Sequence, residues 1–318
     1  MIETLFLRNT NFRSSFSEEC AIVTLPDGAS QGRLTACTAF PGITVMYNTL
    51  NIPEQAARFR SASPMISIDH CQNGRVEWSF PDGIFRYLGE QDVLISTLEH
   101  YDAIYGFPVG HYKGISVNID LLEASRSLLP LQSLFQIDLE RIYRRFCDHD
   151  TPFFLRADES IQRIFSELYT IQAPLRMSKL RLKVLELLLY LSQIDLSCVQ
   201  TAHPYFRRSV VERIRRMKND LCRHPREHVT LSQLSKQYHL SETTIKRCFK
   251  AIYGDSLYSF FKTCRLQEGA VLLRTTDKSV LEIALDVGYE NPSKFIAAFK
   301  RQFGTTPARY RREWQGDH

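Results

Sequence analysis

Residues 231–254 and 280–304 of this chain are two copies of one pattern. Ser241, Ile245, Phe249, Lys250 and Gly254 stand 50 residues ahead of Asn291, Phe295, Phe299, Lys300 and Gly304. Upstream, Leu234 and Ser235 stand 49 ahead of Ile283 and Ala284, so one residue is added in the turn of the second copy. A repeat at fixed offset means one supersecondary unit built twice. In the second copy Val280, Ile283, Ala284 and Val287 form an apolar stripe opened by a Ser279–Glu282 capping box. Gly288 supplies the left-handed stop. Asn291 then caps a second helix with Pro292 at its first position, and Phe295, Phe299 and Phe303 face inward. The first copy reads alike: a Thr230–Gln233 box, then Ile245, Cys248, Phe249 and Ile252 buried. Glu242, Thr243, Lys246, Arg247 and Lys250 are left outward.

Charge follows the repeat. Residues 209–318 hold 20 Lys and Arg against 12 Asp and Glu, whereas the preceding 208 hold 20 against 23. A basic third beside a mildly acidic remainder suits a polyanion. A short helix packed across a more exposed basic helix is a helix-turn-helix, and its second helix has the width to enter the DNA major groove. Two helical hairpins with no ligand are the plain alternative. They leave the duplicated capping and the basic outward face without a reason.

With 318 residues, two domains are expected. Short runs rich in Ile, Val and aromatics fill roughly residues 20–120: 42–52, 65–72, 75–80 and 92–96. Asn73-Gly74 reads as a hairpin with a type I′ turn, and the whole as a small barrel or sandwich. From about 120 the period turns helical, in 139–146, 159–171 and 178–194. The last is apolar around much of its circumference, buried against its own sheet or a second subunit. Residues 198–208 read as a linker. No run approaches the roughly 18 apolar residues of a membrane span, and no secretion signal opens the chain. A cytoplasmic protein is expected. The eight scattered cysteines contain no C-x-x-C pair and are expected to be reduced.

The stretch from Arg265 to Arg312 resembles the DNA-binding domain of the AraC/XylS family of bacterial transcription regulators. The resemblance rests on Arg265-Leu266, the small residues 269–270, Leu272-Leu273, Ile283-Ala284, Gly288-Tyr289, Ser293, Phe295, Phe299-Lys300, Phe303-Gly304, Pro307 and Tyr310-Arg311, and covers about residues 210–312. It implies an all-helical domain at 209–318 with two helix-turn-helix units joined by one long helix, here Ser256–Arg274. Two reading helices would sit about one DNA turn, ~34 Å, apart. The family's base-reading positions fall on Thr243, Lys246 and Arg247, with Thr244 and Lys250 beside them. In the second copy they fall on Pro292, Ser293, Ile296 and Ala297. Ile296 and Ala297 can touch only thymine methyls, so Asn291, Lys294, Lys300 and Arg301 are expected to anchor phosphates.

Residues 66–96 resemble the cupin-like sensor of a subgroup that includes siderophore-responsive regulators, through Cys71, Gly74-Arg75, Glu77-Trp78 and the Gly89–Asp92 turn. The implied fold class is α+β: a cupin-like barrel at 1–120, a helical dimerisation segment at 121–197, the linker, and the DNA-binding domain. Tyr47, His70, Trp78, Phe80 and Tyr87 are the candidate effector wall, for an iron chelator, a sugar or an aromatic. The implied partners are a double-stranded DNA operator, RNA polymerase and a second copy of the chain, most often for activation. A cupin metalloenzyme needs clustered His and carboxylates, but His70, His100 and His111 are far apart and no H-x-H occurs. An amidase-like sensor needs its nucleophile on a strand-to-helix elbow; the one G-x-S-x-G stretch, Gly28 to Gly32, lies where residues 20–120 read as strands, so that reading is set aside. No metal or cofactor is expected, and no enzyme. A non-DNA-binding adaptor is the remaining alternative.

Overall fold

The computed structural model describes residues 13–16, 20–25, 31–51, 57–58, 65–80, 83–97, 104–147, 152–156, 158, 159–171, 175–196, 204–227 and 229–316. The chain divides into two compact units, Met1–Phe206 and Arg207–His318. Of the expected linker, residues 198–203 lie outside the described residues, as does His100.

The first unit is built from β1 (Arg13–Phe16), β2 (Cys20–Leu25), β3 (Gln31–Phe40), β4 (Ile43–Asn51), β5 (Ala57–Arg58), β6 (Met65–Gly74), β7 (Val76–Ser79), β8 (Ile84–Leu88), β9 (Asp92–Thr97), β10 (Ile104–Gly106), β11 (His111–Asp120) and β12 (Phe153–Arg156). They form two sheets. The larger runs β1-β2-β3-β4-β11-β6-β9-β12; the smaller runs β8-β7-β10-β5, with Phe206 next to β8. Among the described residues both sheets are open-ended, so the expected closed barrel is replaced by two layers.

The Asn73-Gly74 hairpin is also corrected. β6 already pairs with β11 on one side and β9 on the other, so its successor has no edge to join. Gly74 (φ +85°) turns the chain out of the large sheet and β7 starts in the small one. The hairpin there is β7–β8, closed by Phe80 and Ile84 (N–H to carbonyl, 2.9 Å).

Helices α1 (Leu121–Phe135), α2 (Leu139–Phe146), α3 (Glu159–Thr170) and α4 (Arg176–Gln193) complete the unit. The segment expected to be helical throughout thus also contributes strand β12 to the large sheet. Alternation along the strands sorts the side chains. Ile43, Val45, Ile66, Ile68, Val93, Ile95, Ile115, Val117 and Ile119 share a core with Leu180, Val184, Leu187, Leu188 and Leu191 of α4. Most of the apolar circumference of α4 is therefore buried within its own unit, while Leu182 stays 63% exposed. The opposite face gives Leu50, Cys71, Leu94 and Tyr112 to a second core with Val76, Trp78, Phe80 and Leu88 of the small sheet. Cys20 and Cys37 stand directly opposite each other on β2 and β3 and are joined as a disulfide. The expectation of reduced thiols fails for this pair, because the register puts the two side chains face to face.

The second unit is all helical: α5 (Arg208–Arg223), α6 (Leu231–Tyr238), α7 (Glu242–Tyr253), α8 (Leu257–Thr275), α9 (Val280–Asp286), α10 (Pro292–Phe303) and α11 (Pro307–Gly316). The long α8 serves both copies. Its first half sets Phe260 and Phe261 against Phe249, with ring centroids 5.3 and 6.1 Å apart. Its second half puts Leu266, Ala270 and Leu273 into a core with Ile283, Ala284, Phe295 and Phe299. Gly269 lets the Phe295 ring close on α8, where a Cβ would stand 3.0 Å from that ring.

The turns repeat as the helices do. After α6, His239 takes the left-handed region (φ 50°) and Leu240 N–H reaches Ser235 carbonyl (3.2 Å). After α9, Gly288 (φ +80°) takes that place and Tyr289 N–H reaches Ala284 carbonyl (2.8 Å). Both are Schellman closures. The added residue is Glu290, before the Asn291 cap.

Two measurements test this packing. His70 is 3% exposed, and burial, against weaker opposing effects of Gln162 and Asp92, lowers its pKa from 6.5 to about 4. A depressed histidine pKa means stability present above 6.5 and lost as pH falls toward the folded value. The loss is about 3 kcal/mol between pH 6.5 and 4. Denaturant midpoints across this range should fall more steeply for the wild type than for His70→Phe. Gly288→Ala meets both the left-handed penalty and Pro225 carbonyl oxygen, 2.5 Å from the new Cβ, whereas at Gly304 (φ +75°) nothing lies within 4 Å. Gly304→Ala should cost about 1 kcal/mol and Gly288→Ala clearly more, read from thermal melts.

Candidate nucleic-acid interface

In each copy an apolar pair one turn apart decides which side of the second helix faces out. Ile245 and Phe249 of α7 are fully buried, and so are Phe295 and Phe299 of α10. Cys248 is also fully buried and Ala298 nearly so. With those positions inward, the helical period turns the intervening residues to solvent. From Ser241 to Lys250 and from Asn291 to Lys300 the two burial patterns agree at all but the second and fourth positions.

Exposed on α7 are Thr243, Lys246, Arg247 and Lys250; exposed on α10 are Ser293, Lys294, Ile296, Ala297, Lys300 and, one residue on, Arg301. Thr244 is half-buried. Its hydroxyl lies 2.8 Å from that of the cap residue Ser241, and its N–H donates to Ser241 Oγ (3.1 Å). It is bound into the cap rather than offered to a ligand. Pro292 is half-buried at the first position of α10. Asn291 Oδ1 accepts from the N–H groups of Ser293 (2.9 Å) and Lys294 (3.4 Å). The expectation that Asn291 anchors a phosphate therefore meets a competing use, because its side chain already takes up the first free amides of its own helix.

The basic residues divide into two sets. Arg226 pairs with the Asp286 carboxylate and donates to its carbonyl (3.1 Å). Arg265 donates to the carbonyls of Glu227 (3.1 Å) and Gly288 (3.4 Å), joining the two copies. Arg311 holds Leu273 carbonyl (3.2 Å), and Arg274 lies over the Trp314 ring (4.7 Å). These four are used inside the domain. Lys246, Arg247, Lys250, Lys294, Lys300 and Arg301 make no side-chain hydrogen bond or ion pair among the described residues. Exposed cations without an internal partner are free to neutralise a polyanion.

A groove of about 1260 Å³ brings the copies together: Lys246 of α7 and Asn291, Lys294, Ala297 and Arg301 of α10 line it. Lys262 and Arg265 add to its positive lining, while Glu227, Glu268 and Glu290 oppose it. Arg226 and Arg265, which tie the copies together, escaped sequence reasoning as positioning groups. A carbonyl partner leaves no mark in a residue pattern.

The five candidate effector residues fall in three places. Tyr47 and His70 face the helices: Tyr47 donates to Leu168 carbonyl (3.2 Å), and His70 stacks on Phe165 (4.3 Å) and bonds Tyr169 (3.1 Å). Trp78 and Phe80 lie between the sheets. Tyr87, one place off that alternation, packs toward Phe206 (6.4 Å). They do not form one wall. Among the described residues no three His, Cys, Asp or Glu gather as a metal site, and no helix is long and apolar enough to cross a membrane.

The family described as a helix-turn-helix domain matches residues 234–313. The chain is 38% identical to the HTH-type transcriptional regulator MtrA of Neisseria gonorrhoeae over 28% of its length and 30% of that protein's. It is 34% identical to the right origin-binding protein of Escherichia coli K12 over 29% of its length and 32% of that protein's. The match thus spans less than a third of those two relatives. The regulatory protein SoxS of E. coli K12 is 32% identical over 28% of this chain and 82% of its own length. Matched across most of that relative, and carrying the duplicated helix-turn-helix in its second unit, the chain belongs to the AraC/XylS-type family of helix-turn-helix transcription regulators.

Proposed function

We propose that this protein is a one-component transcription regulator: the first unit senses a small molecule and the second binds an operator in double-stranded DNA. The single observation that carries the DNA half is the set of six unpartnered cations on the outward faces of α7 and α10, three on each helix. Arg247 reads a guanine through O6 and N7, and Lys246 and Thr243 read neighbouring base edges. Ser293, Ile296 and Ala297 add a weaker, largely apolar readout, while Lys250, Lys294, Lys300 and Arg301 hold phosphates. Most hydrogen-bonded specificity then comes from the first copy.

For the sensor, the supporting observation is polarity inside the sandwich. On the face of the large sheet turned to the small one, Asn48 donates to Ser116 (3.0 Å) and Ser67 to Asp69 (2.9 Å). Burial raises the Asp69 pKa against the hydrogen bonds of Ser116 and Ser67. Polar groups in such a place cost stability unless they serve a ligand or each other. This cupin-like reading, similar to the siderophore-responsive subgroup, would take an iron chelator, a sugar or an aromatic, with Trp78 and Phe80 in the same layer between the sheets. Tyr47, His70 and Tyr87 support the frame. Leu122, Leu129 and Leu134 of α1, each more than 60% exposed, suit pairing of two copies. Effector binding shifts the population competent for the operator. Activation through RNA polymerase, in the cytoplasm, is the mode the family implies.

A gel shift against the gene's own upstream DNA separates this reading from the adaptor alternative, which predicts no retardation at low salt. If Lys250, Lys294, Lys300 and Arg301 neutralise four phosphates, log affinity should fall against log salt with a slope of about −4. Arg247→Ala should lose about 1–3 kcal/mol and relax preference at one base pair. Unchanged preference sinks the assignment. Ala297→Ser should leave the salt slope unaltered.

A further inference from the structure

Two thiols of the second unit stand together. Cys222, in the last turn of α5, and Cys264, in the middle of α8, bring their sulfurs to 3.6 Å. Both are half-exposed and both line the groove between the copies, so small solutes reach them. The other free cysteines among the described residues, Cys71, Cys147 and Cys248, are buried. Burial lifts the thiols of Cys71 and Cys147 to about 12. Cys222 goes the other way, to about 7: the hydrogen bond with Cys264 lowers it most, burial opposes, and the Lys218 ammonium helps. Cys264 is raised, chiefly by that same hydrogen bond. Two sulfurs in contact, both beside the Lys218 ammonium, can share one proton, which favours a thiolate within the pair. Reactivity follows the thiolate.

We propose that Cys222 and Cys264 form a peroxide-oxidation site that closes to a disulfide and weakens DNA binding. The Cys222 thiolate attacks one peroxide oxygen and the O–O bond breaks. Cys222 becomes a sulfenic acid, and the departing hydroxide takes a proton from solvent to leave as water. The Cys264 sulfur then attacks the Cys222 sulfur. The S–O bond breaks as the S–S bond forms, and the Cys264 proton leaves with the hydroxyl as a second water. Two thiols and one peroxide give one disulfide and two waters, the two electrons passing from sulfur to oxygen.

The consequence follows from position. Bonding requires the sulfurs to close from 3.6 Å to about 2 Å. That draws the end of α5 toward α8, beside the contacts that space the copies. Arg265, the next residue after Cys264, holds Glu227 and Gly288. Arg226, four residues after Cys222, holds Asp286. Moving these contacts changes how α7 and α10 present themselves together. This coupling rests on the operator-binding reading given above.

The test uses the full chain, reduced and then treated with hydrogen peroxide. Non-reducing peptide maps should show the Cys222 and Cys264 peptides joined, lighter by two hydrogens and released by dithiothreitol. Cys264→Ser should instead hold a Cys222 sulfenic acid that dimedone traps. Absence of the joined peptide from the wild type, with Cys222 either unreacted or driven to sulfinic acid, overturns the site, whether or not the variants fold. In gel shifts the oxidised protein should bind several-fold more weakly, with recovery on reduction and no response in the doubly substituted Cys222→Ser, Cys264→Ser chain. Equal binding by reduced and oxidised wild type overturns the coupling. A reduced protein that binds no DNA overturns the operator reading instead, and the peptide map still decides the thiol chemistry.

Discussion

Burial of one apolar pair per copy, Ile245 with Phe249 and Phe295 with Phe299, is the constraint on which the second unit depends. Each pair is one turn apart, so it fixes the rotation of its helix about its own axis. All four side chains are fully buried. Once they are, Lys246 and Arg247, or Ile296 and Ala297, have nowhere to point but outward. The outward ridge is thus a by-product of the core. Each end is set as firmly: a Ser or Asn cap before the helix, a left-handed Gly after it.

Having two such helices would be of little use without a fixed spacing. α8 enters both cores, and Arg226 and Arg265 tie the loop after α5 to the turn of the second copy. This consumption of arginines inside the domain separates structural charge from available charge. The excess of basic residues after position 209 mixes the two, and only the partners that the fold gives each side chain distinguish them. The copies then differ in chemistry on one geometry, with bidentate and point donors on α7 and methyl-bearing surfaces on α10.

In the first unit the same alternation that builds the sheets also separates residues that look alike in sequence. Tyr47, His70, Trp78, Phe80 and Tyr87 are all aromatic or imidazole groups on short strands. A strand sends neighbours to opposite faces, and a chain that changes sheets at Gly74 resets which face is inside. One effector wall therefore becomes three separate environments. The polar set around Asp69 went unnoticed because Asn48, Ser67, Asp69 and Ser116 come from three strands and meet only through register.

Local patterns determined the local structure. Capping boxes at Thr230 and Ser279, the stop at Gly288, the added residue in the second turn and the outward faces of α7 and α10 are legible, since each depends on neighbours within a turn or two. The pattern does not single out α5 and α11, nor does it separate β1, β2 and β3 before residue 40. Tertiary structure alone decided the rest: two open sheets where a barrel was expected, a corner in place of the Asn73-Gly74 hairpin, and α4 buried on its own sheet. It also decided which cysteines meet. Cys20 finds Cys37 by strand register, and Cys222 finds Cys264 by helix packing across 42 residues. Such pairings depend on long-range juxtaposition, and a linear pattern carries spacing along the chain but not distance through space.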